Sequence, residues 1–445
     1  MNPRTALSSH PGVGATSGVL LGLVLGLPSC TPPMESAPVP SGETTRALVA
    51  LHEDVGVAGL DDRRFSPETY WEVVLPVVSA SEALRVEEVG RSAEGRPIRE
   101  VTFGTGPVPV LLWSQMHGDE STASMALADI FRLLGSAGPL ARRLGERLTL
   151  HFVPVLNPDG AARFQRRNAQ GVDVNRDARR LATPEGRALK EVRDRVEPEY
   201  AFNLHDQNVG TRVGSSDRGV AIALLAPAFD EARSLNARRA RAMRVAAAIR
   251  MAVEPLVNGH IARYDDTFNP RAFGDLMATW GASAVLIESG GWEGDPQKQF
   301  LRRVNFVGIL SALDAIAQET LDDVSMAAYT SLPRNGRRVG DLLVVGGTFV
   351  PPGLPPLTAD VLVDFERPLL MEGGTVADVG DLGGYEARDT IQAYGLYLIP
   401  TAEMMDADGA LEVGAPARFV AARRPDGGGE VWRFEGSPPA SLRNR

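Results

Sequence analysis

Between residues 108 and 287 the chain alternates short, unbroken apolar runs with longer stretches of helical spacing, and this alternation restricts its fold more than any other feature. Val108–Trp113 and Leu148–Val155 are apolar, rich in β-branched residues and bounded by turn formers, the pattern of strands buried on both faces. Ser121–Leu134, between them, has helical spacing. Tyr200–Leu204, Ala221–Leu225 and Ser283–Ile287 read as further strands, with an arginine-rich helical stretch, Glu231–Glu254, among them. Such a pattern predicts a layered α/β fold. Upstream, Arg46–Val77 carries helical patches, and a strand from Leu84 runs into Gly90–Ile98, a turn between two strands. From Val339 the texture changes to short β-like pieces separated by Gly and Pro: Leu342–Val345, Asp360–Asp364, Leu396–Ile399 and Arg418–Ala421. These predict a small β domain over 339–445, following a larger α/β domain over 61–328.

Composition narrows the chemistry. The formal charge of −10, from 46 basic and 56 acidic residues, argues against nucleic-acid binding, which wants a basic surface to displace phosphate counterions. Only Lys190 and Lys298 among the basic residues are lysine, a bias that reads as genome base composition. A single cysteine, Cys30, excludes an intramolecular disulfide and every multi-cysteine zinc site, so a metal here must sit on His, Asp and Glu. Cys30 closes Leu27-Pro28-Ser29-Cys30, just after an apolar run, Val19–Leu27, that is about half the ~20 residues a membrane-crossing helix needs. The run reads as a signal-peptide core, and its end resembles a bacterial lipobox, in which the cysteine becomes the lipidated first residue of the mature protein. The expected organisation is therefore a lipoprotein-type signal peptide over 1–29 and a tether over 30–60, Pro-, Ser- and Thr-rich at its start. The protein would be exported to the bacterial cell envelope and held on a membrane through Cys30.

Three segments each place a ligand or catalytic carboxylate at the end of a predicted strand, where loops of an open parallel sheet gather ligands. His117-Gly118-Asp119-Glu120 offers a His and a Glu that can turn toward one ion. His205, in Phe202-Asn203-Leu204-His205-Asp206, completes a His, Glu, His set that leaves a fourth position for water, as a catalytic zinc requires. Glu288 emerges from the apolar Val285-Leu286-Ile287, a poor place for bulk solvation and a good one for a general base. Taken singly these are weak patterns. Their order becomes specific together with Asn157-Pro158-Asp159-Gly160 and the stretch from Arg166 to Asp177.

With those residues in place the chain, from about Tyr70 to Gln318, resembles the zinc carboxypeptidase family, the carboxypeptidase A type metallopeptidases. The resemblance implies a layered α/β/α fold with a mixed, largely parallel central sheet, and one Zn2+ per chain bound by His117, Glu120 and His205. It implies that Glu288 is the general base and that Arg166 polarises the scissile carbonyl, with the adjacent Arg167 as the alternative. Asn175 and Arg176 would grip the terminal carboxylate of a peptide substrate, Asp173 would orient His117, and Tyr264 would close over the bound terminus. The floor of the specificity pocket is expected near Arg271–Gly274, where Arg271 would suit an acidic end group and Phe273 an apolar one. His52, His151 and His260 stand outside any motif and read as structural, and Trp292 as core. The expected activity is a metallocarboxypeptidase. The alternatives are a zinc deacylase or amidase of N-acyl amino acids or cell-wall peptides, and an inactive exported binding protein.

Overall fold

The computed structural model describes residues 42–442, so the signal-like run, Cys30 and the start of the tether lie outside the described residues. The strands of the first part are β1 (Leu84–Arg91), β2 (Pro97–Phe103), β3 (Val108–Trp113), β4 (Leu148–Val153), β5 (Tyr200–Asp206), the short β6 (Thr211–Val213), β7 (Ile222–Leu225), β8 (Ile261–Arg263) and β9 (Ser283–Ser289). All but β6 form one eight-stranded sheet in the order β1-β2-β4-β3-β5-β9-β7-β8. Its centre, β4-β3-β5-β9, is parallel, while β1, β2 and β7 run antiparallel to neighbours. The mixed, largely parallel sheet expected from the resemblance is thus present.

The helices are α1 (Gly42–Val55), α2 (Pro67–Ser79), α3 (Thr122–Gly135), α4 (Pro139–Arg147), α5 (Pro158–Arg163), α6 (Pro184–Val196), α7 (Ala237–Val257), α8 (Phe273–Thr279) and α9 (Gln299–Ala317). Alternate strand residues feed two cores, because successive side chains point to opposite faces. Val110, Leu112, Phe202, Leu204, Val285 and Ile287 join the apolar faces of α3, α7 and α9. Leu111, Trp113, Ala201 and Ala284 join α6 and α8 on the other face. The result is three layers, helix on sheet on helix. The chain passes from β3 to β4 on one side and then to β5 on the other, so a crevice opens between the C-terminal ends of β3 and β5.

Two boundaries differ from the sequence reading. Residues 42–55 of the stretch read as tether, 30–60, form α1 and pack on the core. Thr45, Leu48 and His52 share one helical face and are buried there. Thr45 Oγ1 donates to Ala252 O (2.8 Å) and His52 Nε2 meets Asp129 Oδ2 (3.1 Å). The arginine-rich helix starts at Ala237 rather than Glu231, because the Asn236 side chain accepts from Arg239 N and caps it.

The second sheet holds β11 (Gly340–Phe349), β12 (Leu357–Arg367), β13 (Glu372–Gly380), β14 (Ala387–Gln392), β15 (Tyr397–Pro400), β16 (Arg418–Ala422) and β17 (Glu430–Glu435), reached through β10 (Asn335–Arg338). It curls until its ends meet: Gly374 N donates to Gly436 O (2.8 Å), and Val376 N donates to Ala415 O (2.9 Å). Leu342, Val344, Val363, Phe419 and Phe434 fill the interior. This barrel-like piece is not isolated from the first sheet. β10 pairs with β6, and all the described residues belong to one compact unit. Among the described residues no helix is long and apolar enough to cross a membrane.

Candidate active site

The loop that carries His117 and Glu120 leaves β3 and is pressed against the turn that opens α5. A Cβ on Gly118 would lie 2.0 Å from the carbonyl carbon of Gly160, so Gly118 must stay bare for the two backbones to touch. That turn is tied in its own right to the hairpin turn between β1 and β2. Asp159 Oδ1 accepts from Ser92 Oγ (2.7 Å) and Arg96 NH1 (2.9 Å), and its Oδ2 from Glu94 N (3.0 Å). Two of the motif segments picked from sequence, Gly90–Ile98 and Asn157–Gly160, therefore act as a buttress beneath the loop.

His205 enters from β5 and Glu288 from β9, and the two are direct register partners. Side chains at paired positions of neighbouring strands project to the same face. Glu120 Oε1 stands 2.8 Å from His117 Nδ1 and Glu120 Oε2 stands 2.6 Å from His205 Nδ1, while the two Nδ1 atoms are 3.1 Å apart. One ligand atom from each of the three buried residues lies within 4.8 Å of the others. Two imidazole nitrogens and a carboxylate oxygen converging from a loop and a strand make a donor set that suits zinc. His117 Nε2 is held by Asp173 Oδ1 (3.0 Å), which leaves Nδ1 as the inward atom. Asp173 Oδ1 also accepts from Asn175 N (2.9 Å).

Arg166 bridges the two carboxylates of this cluster. Its NH1 lies 3.2 Å from Glu120 Oε1, and its Nε and NH2 reach Asp173 Oδ2 at 3.1 and 3.0 Å. Arg167 points away, donating to Gly171 O (3.0 Å), and does not line the cavity. The local field is strong. Burial opposes protonation of His117, but Glu120 and Asp173 outweigh it and raise its pKa to about 9. Burial disfavours the charged form of Glu120 too, yet the facing imidazoles hold it well below the usual carboxylate range. Glu288 has no such partner: burial, with the charge of Glu120, pushes its carboxyl well above that range.

All these groups except Asp173 line one cavity of about 950 Å³, in the size range of ligand pockets. Asn175 and Arg176 lie on its wall. Asn175 Oδ1 is engaged by Phe273 N (2.9 Å), and Arg176 NH1 donates to Asn175 O (2.8 Å), but Arg176 makes no ion pair among the described residues. Tyr264 lines the cavity as well, packed on Val213, Val220, Ala223 and Ala262; the Glu288 charge and burial raise its phenol pKa. The expected pocket floor needs correction. Arg271 is exposed and off the cavity, and Phe273 is buried in the core between sheet and α8. The wall there is Ala272, Gly274 and Asp275, whose carboxyl burial lifts to about 6. Phe273 is the first residue of α8, and its ring turns inward to the core.

Two cavity residues, Arg63 and Lys298, escaped the sequence reading. Asp206 lies between them. The C-terminal sheet supplies a wall made of Phe365, Glu366 and Pro368, with Arg338 of β10 beside it and Glu366 paired to Arg64 (2.7 Å). Asn335 Nδ2 donates to Gln207 Oε1 (2.7 Å) beside it. His52, His151 and His260 stay out of the site: they meet Asp129, Glu100 and the Gly219 carbonyl. Trp292 packs between His260 and Phe300.

Residues 77–208 match the zinc carboxypeptidase family model. Carboxypeptidase 2 of Trichophyton tonsurans is 31% identical over 105 residues, 23% of this chain and 20% of that one. Carboxypeptidase SOL1 of Arabidopsis thaliana is 31% identical over 106 residues, 22% of each chain. The chain spans a fifth to a quarter of the length of the Trichophyton relatives it matches. A solved metallo-carboxypeptidase from Burkholderia cenocepacia superposes with a TM-score of 0.45 at 21% identity, covering 57% of this chain and 70% of that one.

Proposed function

We propose that this protein is a zinc-dependent carboxypeptidase that hydrolyses the last peptide bond of peptides with a free C-terminal carboxylate. The observation that carries the reading is the convergence of the His117, Glu120 and His205 donors in the same cavity as the buried Glu288 and the unpaired Arg176. A zinc held by the three donors supplies an acidified water, with a pKa near about 7, and polarises a carbonyl. Glu288, opposite His205, takes the proton from the attacking water and passes it to the leaving amine. Arg166 steadies the carbonyl oxygen as charge gathers on it. Arg176 and Asn175 hold the terminal carboxylate, which a planar guanidinium grips with two parallel charge-assisted bonds. Asp173 fixes the ring orientation of His117, and Tyr264 covers the bound terminus.

The test is metal analysis of the purified protein joined to mass spectrometry of a digested peptide library. One zinc per chain and loss of single C-terminal residues, both abolished by a chelator, support the reading. Zinc with cleavage only of N-acyl amino acids makes the protein a deacylase, and zinc with no amide hydrolysis makes it a binding protein. Absence of zinc ends the reading at its first step.

The same proposal puts the enzyme in the bacterial envelope, anchored through Cys30, on the strength of the lipobox-like Leu27–Cys30 after an apolar run. Fatty-acid labelling that Cys30→Ser abolishes supports the anchor, and labelling that survives the substitution removes it. Two or more acyl chains are needed for a stable hold on the bilayer.

A further inference from the structure

We infer that Lys298 is a positioning residue that locks the metal-ligating strand and the general-base strand together at the residues next to His205 and Glu288. The inference rests on the zinc peptidase reading above. Lys298 is 1% exposed, yet it lines the cavity. It donates to Asp206 Oδ2 (3.0 Å) and to the carbonyl of Ser289 (3.3 Å). Asp206 follows His205 on β5, Ser289 follows Glu288 on β9, and these two are themselves register partners. One cation thus pins the step beyond a ligand to the step beyond the base.

The tie continues to the metal cluster. Asp206 N donates to Glu120 Oε2 (3.1 Å), so a shift of β5 here would move the carboxylate between the histidines. The same Asp206 Oδ2 accepts from Thr122 Oγ1 (2.7 Å) and Arg63 NH2 (3.1 Å), and Arg63 NH2 also donates to the Asp119 carbonyl (2.9 Å) in the ligand loop. Loop, β5 and β9 therefore meet on one carboxylate oxygen, and Lys298 is the group that brings in β9.

Two features show that the place is built for a lysine. Lys298 has a left-handed backbone (φ 53°) at the start of α9, a conformation that side-chain-bearing residues adopt at some expense and that persists where the surroundings dictate it. In a chain where 44 of the 46 basic residues are arginine (46 less Lys190 and Lys298), a compact ammonium stands at the point where a guanidinium fork would have to fit between two paired strands. Burying an ion pair is a poor source of net stability, so the geometry it fixes is the better account of its presence.

The experiment measures zinc affinity by chelator competition, and kcat and KM on a peptide with a free carboxylate, for the full-length protein and three variants. Lys298→Met is expected to weaken zinc binding about 10- to 100-fold, the usual loss when a partner behind a metal ligand is removed, and to lower kcat without raising KM. Asp206→Asn is expected to do the same, and adding Lys298→Met to it to cost little more, because both act through one contact. A residue that only stabilised the fold would lower Tm and leave zinc affinity and kcat of the folded protein unchanged; that result overturns the inference, as do fully additive losses in the double variant. Should Lys298→Met fail to fold, the near-isosteric Asp206→Asn decides alone, and unchanged zinc affinity in it rejects the proposal. A wild-type protein that binds no zinc or trims no peptide overturns the functional reading instead, whatever the variants do.

Discussion

Glu288→Gln leaves zinc bound and lowers kcat about 10²–10⁴-fold, the range set by removal of a general acid–base group. The expectation comes from where Glu288 stands. It is buried, it faces His205 across the strand pair, and burial with the nearby Glu120 charge raises its affinity for a proton. Glutamine keeps the size and the polar contacts of the side chain but cannot carry a proton from water to amine. The ligands His117, Glu120 and His205 are untouched, so zinc content measured beside kcat separates loss of the base from loss of the metal. Near wild-type turnover in the zinc-loaded variant would take Glu288 out of the mechanism.

Arg176→Ala lowers kcat/KM for peptides with a free terminal carboxylate by about 30- to 150-fold, the equivalent of the 2–3 kcal/mol carried by a hydrogen bond to a charged group. The same peptides with amidated ends change far less. Arg176 lines the cavity with no ion pair among the described residues, so its charge is available to a substrate, and its hydrogen bond to the Asn175 carbonyl orients rather than neutralises it. Matched losses on free and amidated peptides would show that the carboxylate is held elsewhere. Asp275 shares that wall with Arg176, while Arg271 and Phe273 do not line the cavity.

The parts of the fold that were legible are those whose pattern is local. β3 spans Val108–Trp113 as the apolar run predicts, since both its faces are buried. β13, β14 and β17 were missed: their runs, such as Glu430-Val-Trp-Arg-Phe-Glu435, mix charge with single apolar residues, and only pairing with neighbours makes them strands. The helical patches read from Arg46 caught most of α1 but not its start or its packing, because a threonine and a histidine make up most of its buried face. The site divides in the same way. His117, Glu120 and His205 come together as their motifs implied, and Asp173 and Arg166 join them as the resemblance implied. Arg63, Asp206 and Lys298 carry no such pattern; they meet through contacts between residues far apart in the chain, and the rarity of lysine was the one visible sign.

The cleft wall contributed by Phe365, Glu366 and Pro368 separates two kinds of evolutionary freedom. The proposed zinc donors, carboxylate clamp and general base all lie before residue 300, while this wall hangs from a sheet with its own filled interior. Substitutions at the end of β12 and just after it can reshape this wall without touching the proposed zinc ligands. Choice of substrate and power of hydrolysis are thereby open to divergence along independent paths within a single chain.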